Sequence, residues 1–125
     1  MNESPASIIS VATAPPDAGP AGAAVGRVHA HNVGQREAPI IQEELLAVAK
    51  ATGSRAALDL SRVTMMGSLA LGTIVAITKE CKADGGKLVL FGLSDQLHGL
   101  FKMSHLDRLL TIVQDEKAAL KKLGV

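Results

Sequence analysis

The stretch that most constrains the fold is residues 58–91, LDLSRVTMMGSLALGTIVAITKECKADGGKLVLF. Ala56 to Leu60 and Lys87 to Phe91 are short apolar runs bounded by turn signals, the pattern of parallel strands covered on at least one face. Between them lies a helical segment of about four turns. Ser68 stands where that helix needs an N-cap, and Asp84-Gly85-Gly86 stands where it needs a stop. A strand, a helix and a parallel strand make a right-handed βαβ unit.

A chain of 125 residues suits one domain, here expected over residues 1–125, with enough core to fold alone. Hydrophobic residues make up 47%, which argues against disorder of the whole chain. With no Trp or Tyr and two Phe, the core must be aliphatic, and an aromatic platform for nucleic acid is not expected. The net charge of +1 supplies no field for phosphate backbones or membrane surfaces. Cys81 is the single cysteine, so no internal disulfide can form, which fits a reducing compartment. The first 24 residues lack a cationic start and are interrupted by Pro5, Pro15, Pro16 and Pro20, unlike a signal peptide. No apolar run approaches the roughly 20 residues that span a bilayer. The expectation is a soluble, cytoplasmic protein.

In chain order, Ser7 to Ala12 is a candidate edge strand. Thr13 to Ala24, rich in Pro, Gly and Ala, is expected to be an exposed, mobile loop. Val25 to Ala30 predicts a strand with Val25, Arg27 and His29 on one face and Gly26, Val28 and Ala30 on the other. His31 to Ala38 is polar and is expected to connect. Pro39 suits the first residue of a helix carrying Ile41, Leu45 and Val48 on one stripe, with Gly53 as its stop. Gln42, Glu43 and Lys50 lie on its opposite side. After the βαβ unit, Ser94-Asp95 can cap a short helix to about Met103. Leu109 to Val113 predicts a last strand, and Asp115 to Leu123 a terminal helix with acidic residues in its first turn. The order is ββαβαβαβα. The expected core includes Leu58, Leu60, Ile74, Ile77, Leu88 and Leu90.

Catalytic chemistry is hard to find. His29 and His31 would share a strand face, but lack a third ligand at metal-site spacing, so ordinary surface histidines are the simpler reading. His98 and His105 fit surface or cap positions. Cys81 falls on the apolar stripe of the central helix, as an inert buried thiol would. Gly67 to Gly72 is not a nucleophile elbow, because position 70 is alanine, and no phosphate- or dinucleotide-binding fingerprint occurs. The expectation is a protein without catalytic residues, cofactor or metal.

The central helix is more informative. At 100° per residue, Ala70, Leu71, Ile74, Ile77, Thr78 and Cys81 share the core face. The other face carries Ser68, Leu69, Gly72, Val75, Ala76 and Lys79, and its first two turns are small and apolar where a surface helix would place Glu, Lys or Gln. Either a neighbouring segment covers it, or it docks another protein with Ser68 at the rim. Ser68 is then either a plain N-cap contributing about 1 kcal/mol, or a phosphorylation site. A phosphate would bring roughly two negative charges to the positive end of the helix dipole, and those charges would oppose an apolar partner.

Three stretches together resemble the STAS domain, the fold of bacterial anti-sigma factor antagonists and of the cytoplasmic domain of sulfate transporters. They are Leu58-Asp59-Leu60-Ser61-Arg62-Val63, Met66-Gly67-Ser68-Leu69-Ala70-Leu71-Gly72 and Gly85-Gly86-Lys87-Leu88-Val89-Leu90. The similarity continues through Gly92-Leu93-Ser94, Leu100-Phe101 and Leu106-Asp107-Arg108-Leu109-Leu110, and covers residues 38–123. The resemblance implies an α/β fold with a mixed β-sheet and helices packed mainly on one side. It implies partner switching: the unphosphorylated domain binds an anti-sigma factor, often itself a serine kinase, which ends that binding by phosphorylating a serine at the start of the central helix. Ser68 matches that serine, and Gly67, Ser68, Leu69, Gly72, Val75 and Ala76 become the expected partner-binding residues. Gly67 replaces the family's usual acidic residue, Leu69 its second serine and Ala70 its following glycine. The resemblance also accommodates a non-switching scaffold of a larger signalling complex, a small-ligand or lipid-transport accessory role, and a weak homo-oligomer.

Overall fold

Alternating burial along the strands builds the sheet. In β4 (Arg55–Asp59), Ala56 and Leu58 point to one face and Ala57 to the other, all fully buried, so helices must cover both faces. The structure, a computed structural model, describes residues 7–125. The part of the single-domain expectation over 1–6, Pro5 included, lies outside the described residues. A five-stranded sheet has the order β1-β2-β4-β6-β7, from β1 (Ile9–Ala14), β2 (Ala23–Val28), β4, β6 (Lys87–Phe91) and β7 (Thr111–Val113). β1 runs antiparallel to β2, and the other pairings are parallel, giving the expected mixed sheet.

Most of the helical cover lies on one side. Ala38, Ile41, Leu45 and Ala49 of α1 (Glu37–Ala49), Ala70, Ile74, Ile77 and Cys81 of α2 (Ser68–Ala83), and Leu97 and Phe101 of α3 (Asp95–Met103) pack with Ala24, Ala56, Leu58, Leu88 and Leu90. Burying each Leu or Ile contributes about 1.5–3 kcal/mol, which makes this layer the main source of stability. Gly26 lets α1 approach β2: an added Cβ would sit 3.0 Å from both Ile9 Cδ1 and Leu45 Cδ1. The opposite face is covered by α4 (Glu116–Lys122), where Ala119 packs over Val25, Ala57, Val89 and Phe91. Arg27 ties α4 to the sheet, 3.3 Å from Asp59 Oδ2 and 2.7 Å from Glu116 Oε1. The hydrogen bond to Glu116 is the largest cause holding its pKa above the ordinary value. Its side chain is half exposed, so the latch adds little stability.

The expected order holds for the main elements, and all six named core residues are buried. Four boundaries need correction. Thr13 to Ala24 is not one exposed loop: β1 continues to Ala14, β2 begins at Ala23, and Ala23 and Ala24 are fully buried between flanking strands. α1 begins at Glu37, two residues before Pro39, because Pro within the first turn removes an N–H that has no partner there anyway. Its Val48 is half-buried, and Ala38 and Ala49 complete the buried stripe. Leu109 follows a 3₁₀ turn (Leu106–Arg108) and is exposed, so β7 begins only at Thr111.

The connection expected from His31 to Ala38 also holds a short strand. β3 (Asn32–Val33) pairs in parallel with β5 (Met65–Met66) as a separate two-stranded ladder. Asp115 caps α4 through Ala118 N–H, and Ser94 caps α3 through Leu97 N–H, as their positions imply. No helix among the described residues is long and apolar enough to cross a membrane.

Candidate functional site

The segment leading into α2 is held by its neighbour in space. The His31 carbonyl accepts from Thr64 N–H at 2.8 Å, Met65 N–H at 3.2 Å and the Thr64 hydroxyl at 3.1 Å. His31 Nδ1 lies 3.0 Å from the Arg62 carbonyl; a carbonyl only accepts, so Nδ1 carries the proton. Arg62 Nη1 lies 3.4 Å from His29 Nδ1, and because guanidinium only donates, His29 accepts there and donates through Nε2 to Ser10 Oγ at 2.9 Å. β2 has ended at Val28, so the two histidines act separately: each binds a different part of Arg62. Among the described residues, no group of three His, Cys, Asp or Glu is placed to hold a metal.

Gly67, not Ser68, is the N-cap of α2, with extended φ −78° and ψ 168°. Ser68 is the first helical residue. Its hydroxyl makes no hydrogen bond with the described residues, so the expected side-chain cap is corrected. The physical reason is that glycine is itself a tolerated N-cap, and the Gly67 N–H is taken by the Val33 carbonyl. The first turn of α2 contains no acidic residue. Ser68 therefore presents a solvent-exposed hydroxyl at the positive end of a helix with no acidic residue in its first turn.

Beyond Ser68, the outer face of α2 is open. Leu69, Gly72 and Ala76 are exposed, Val75 is half-buried, and a Cβ at Gly72 would meet nothing within 4 Å. No segment among the described residues covers it. Gly67, Ser68, Leu69, Gly72, Val75 and Ala76 thus share one surface, while Leu71 and Thr78 are half-buried beside the core stripe. Cys81 lies on the buried side, its thiol pushed up to about 11 by burial first and then by Glu80 and Asp84. That disfavours the thiolate a nucleophile needs. His98 and His105 are exposed on and just after α3, apart from this surface.

The structure adds residues that the sequence pattern hid. Met65, three positions before Ser68, and Met103 on α3 are exposed by 52% and 82%. They line one largely apolar groove of about 310 Å³ with Thr64, Asp95, Gly99 and Leu100. Neither methionine belongs to a periodic stripe, so the sequence pattern marks neither as exposed.

The model of the STAS domain family matches residues 36–119. The anti-sigma-B factor antagonist of Listeria monocytogenes is 36% identical over 75 residues, 60% of this chain and 66% of that protein. The chain thus spans just under two thirds of the length of that curated relative. An anti-sigma factor antagonist from Mycobacterium paratuberculosis has the same fold, with TM-score 0.73, 17% identity, and 94% of this chain and 95% of that one covered. The Bacillus cell fate determinant SpoIIAA in its phosphorylated form gives TM-score 0.62 and 17% identity, covering 88% of this chain and 95% of that one.

Proposed function

This chain belongs to the STAS domain family, and from that premise we propose that it is an anti-sigma factor antagonist of a partner-switching pathway. In this reading it binds an anti-sigma factor through the outer face of α2, and a serine kinase, often the anti-sigma factor itself, ends that binding by phosphorylating Ser68. The likeness to the Listeria antagonist supports the role, and the phosphorylated form of SpoIIAA supports control by phosphate. The observation that carries it is the pairing of an exposed, uncapped Ser68 hydroxyl with the uncovered apolar surface of Leu69, Gly72 and Ala76.

The physics of the switch is local. A phosphate on Ser68 meets the positive end of the α2 dipole and no acidic neighbour in the first turn, so the fold accepts it. An apolar partner lying on Leu69 would have to desolvate the same charge, which is costly unless that partner supplies a cation. Regulation thus acts on binding and leaves folding alone.

The test is to purify the protein with the anti-sigma factor encoded in its own genome, add ATP and magnesium, and follow both complex and phosphate. The expected result is a complex that dissociates as mass spectrometry finds phosphate on Ser68. Absence of any complex with the unphosphorylated protein would overturn the antagonist reading. A complex that persists with Ser68 fully phosphorylated would overturn the switch.

A further inference from the structure

We propose that Met65 and Met103 form an oxidation site whose product converts the groove between β5 and α3 from apolar to polar. Of the large hydrophobic residues among those described, Met65, Leu69, Met103 and Leu109 are the exposed ones, and the two methionines border the same groove. Between them the groove is lined by the half-buried Leu100 and by Gly99, where an added Cβ would meet nothing within 4 Å. Met66, next in sequence to Met65, is 4% exposed and packs into the main core, so one strand carries a reactive methionine and its own protected control.

The reaction needs a hydroperoxide, a two-electron oxygen donor. A lone pair of the thioether sulfur attacks one peroxide oxygen and the O–O bond breaks. With hydrogen peroxide, the proton of the transferred oxygen passes to the departing hydroxide. The products are one sulfoxide and one water: sulfur is oxidised by two electrons and the peroxide is reduced by two. The new S–O group is a strong hydrogen-bond acceptor, so a flexible apolar side chain becomes polar without any charge or chain break. The sulfoxide can be reduced back to the thioether by methionine sulfoxide reductases, so the mark is reversible. Resting on the antagonist reading, oxidation would also weaken partner binding, since Met65 is exposed three residues before Ser68.

The test exposes the full-length chain to dilute hydrogen peroxide, with circular dichroism as the folding control. Met65 and Met66 share the tryptic peptide 63–79, so fragmentation mass spectrometry must place the oxygen; Met103 falls in peptide 103–108. Oxidation at Met65 and Met103 is expected about tenfold faster than at Met66 in the folded protein. An anilinonaphthalene dye should lose fluorescence on the oxidised protein, and a Met65→Leu, Met103→Leu double variant should keep it through the same treatment. Equal rates at Met65 and Met66 would overturn the site. Unchanged dye binding with both sulfoxides formed, or equal loss in the double variant, would overturn the change in the groove. A separate arm offers oxidised and untreated protein to the anti-sigma factor: failure of the untreated protein counts against the antagonist reading alone, and equal binding by both overturns the effect on the partner.

Discussion

Gly67 N–H donates to the Val33 carbonyl across 3.0 Å, joining the residue that caps α2 to the end of β3. This bond leaves the Gly67 side-chain position facing solvent, where a Cβ would meet no heavy atom within 4 Å. Its backbone is already in the extended conformation that an Asp N-cap uses. Gly67→Asp should therefore stabilise the protein by roughly 0.5–1 kcal/mol, through capping of the first turn and lower entropy of the unfolded chain. Urea unfolding measures it. A destabilised variant would show that the open space around Gly67 is wrong.

Ile77 is the best single probe of the main core. It is fully buried on the inner face of α2, within the cluster that includes Leu58 and Leu90. Ile77→Ala should cost about 2–5 kcal/mol, because the rigid sheet beneath cannot close the cavity fully. Thermal and chemical unfolding should agree on the loss, and a cost under about 1 kcal/mol would mean that α2 is wrongly phased.

These two residues show what the sequence made legible. The βαβ unit was readable because its signals agree: Lys87–Phe91 is the strand expected, and Ile74, Ile77 and Cys81 keep a helical period over the buried face. β3 and β5 were not readable, since two residues such as Asn32 and Val33 cannot display a period of two, and their pairing is fixed by long-range bonds to His31. The cap was misplaced by one residue because Ser68 is the better capping type, while the Val33 contact selects Gly67. Ala23 and Ala24 looked like loop by composition, yet small size is what their crowded place in β2 requires. At the candidate site, the outer face of α2 was legible as an unusual stripe. The flanking methionines were not, because their exposure depends on where α3 lies.

Cys81 makes stability depend on alkaline pH. In the folded protein its thiol is pushed up to about 11, above its ordinary value of 9.0, mainly by burial. Between those values the unfolded chain has released a proton that the folded chain retains. The contribution is therefore intact below pH 9 and is lost as pH rises toward 11, at about 1.4 kcal/mol per unit of separation. The slope of unfolding free energy against pH from 8 to 11 should be shallower in Cys81→Ala than in the parent, which shares all its lysines. Equal slopes would mean that the thiol ionises freely in the folded state.

The outer face of α2 offers the sharpest prediction. Because the Ser68 hydroxyl caps nothing, Ser68→Ala should change stability by less than about 0.5 kcal/mol and keep partner binding. Ser68→Glu should fold at least as well, gaining about 0.3–1 kcal/mol from a negative charge in the first helical turn, but should bind the anti-sigma factor weakly. Gly72→Arg separates surface from charge at Ser68. The position is open, and replacing a mid-helix glycine favours the helix by up to about 1 kcal/mol, so this variant should be as stable as the parent or more so. Its long side chain should nevertheless block a partner that rests on Leu69 and Val75. Pull-down of the three variants against the anti-sigma factor, with unfolding curves beside each, distinguishes the possibilities. Full binding by Gly72→Arg alone would move the interface off this helix face, toward the groove of Met65 and Met103. Full binding by Ser68→Glu as well would leave no role for charge at Ser68, and the exposed hydroxyl would be an ordinary surface group.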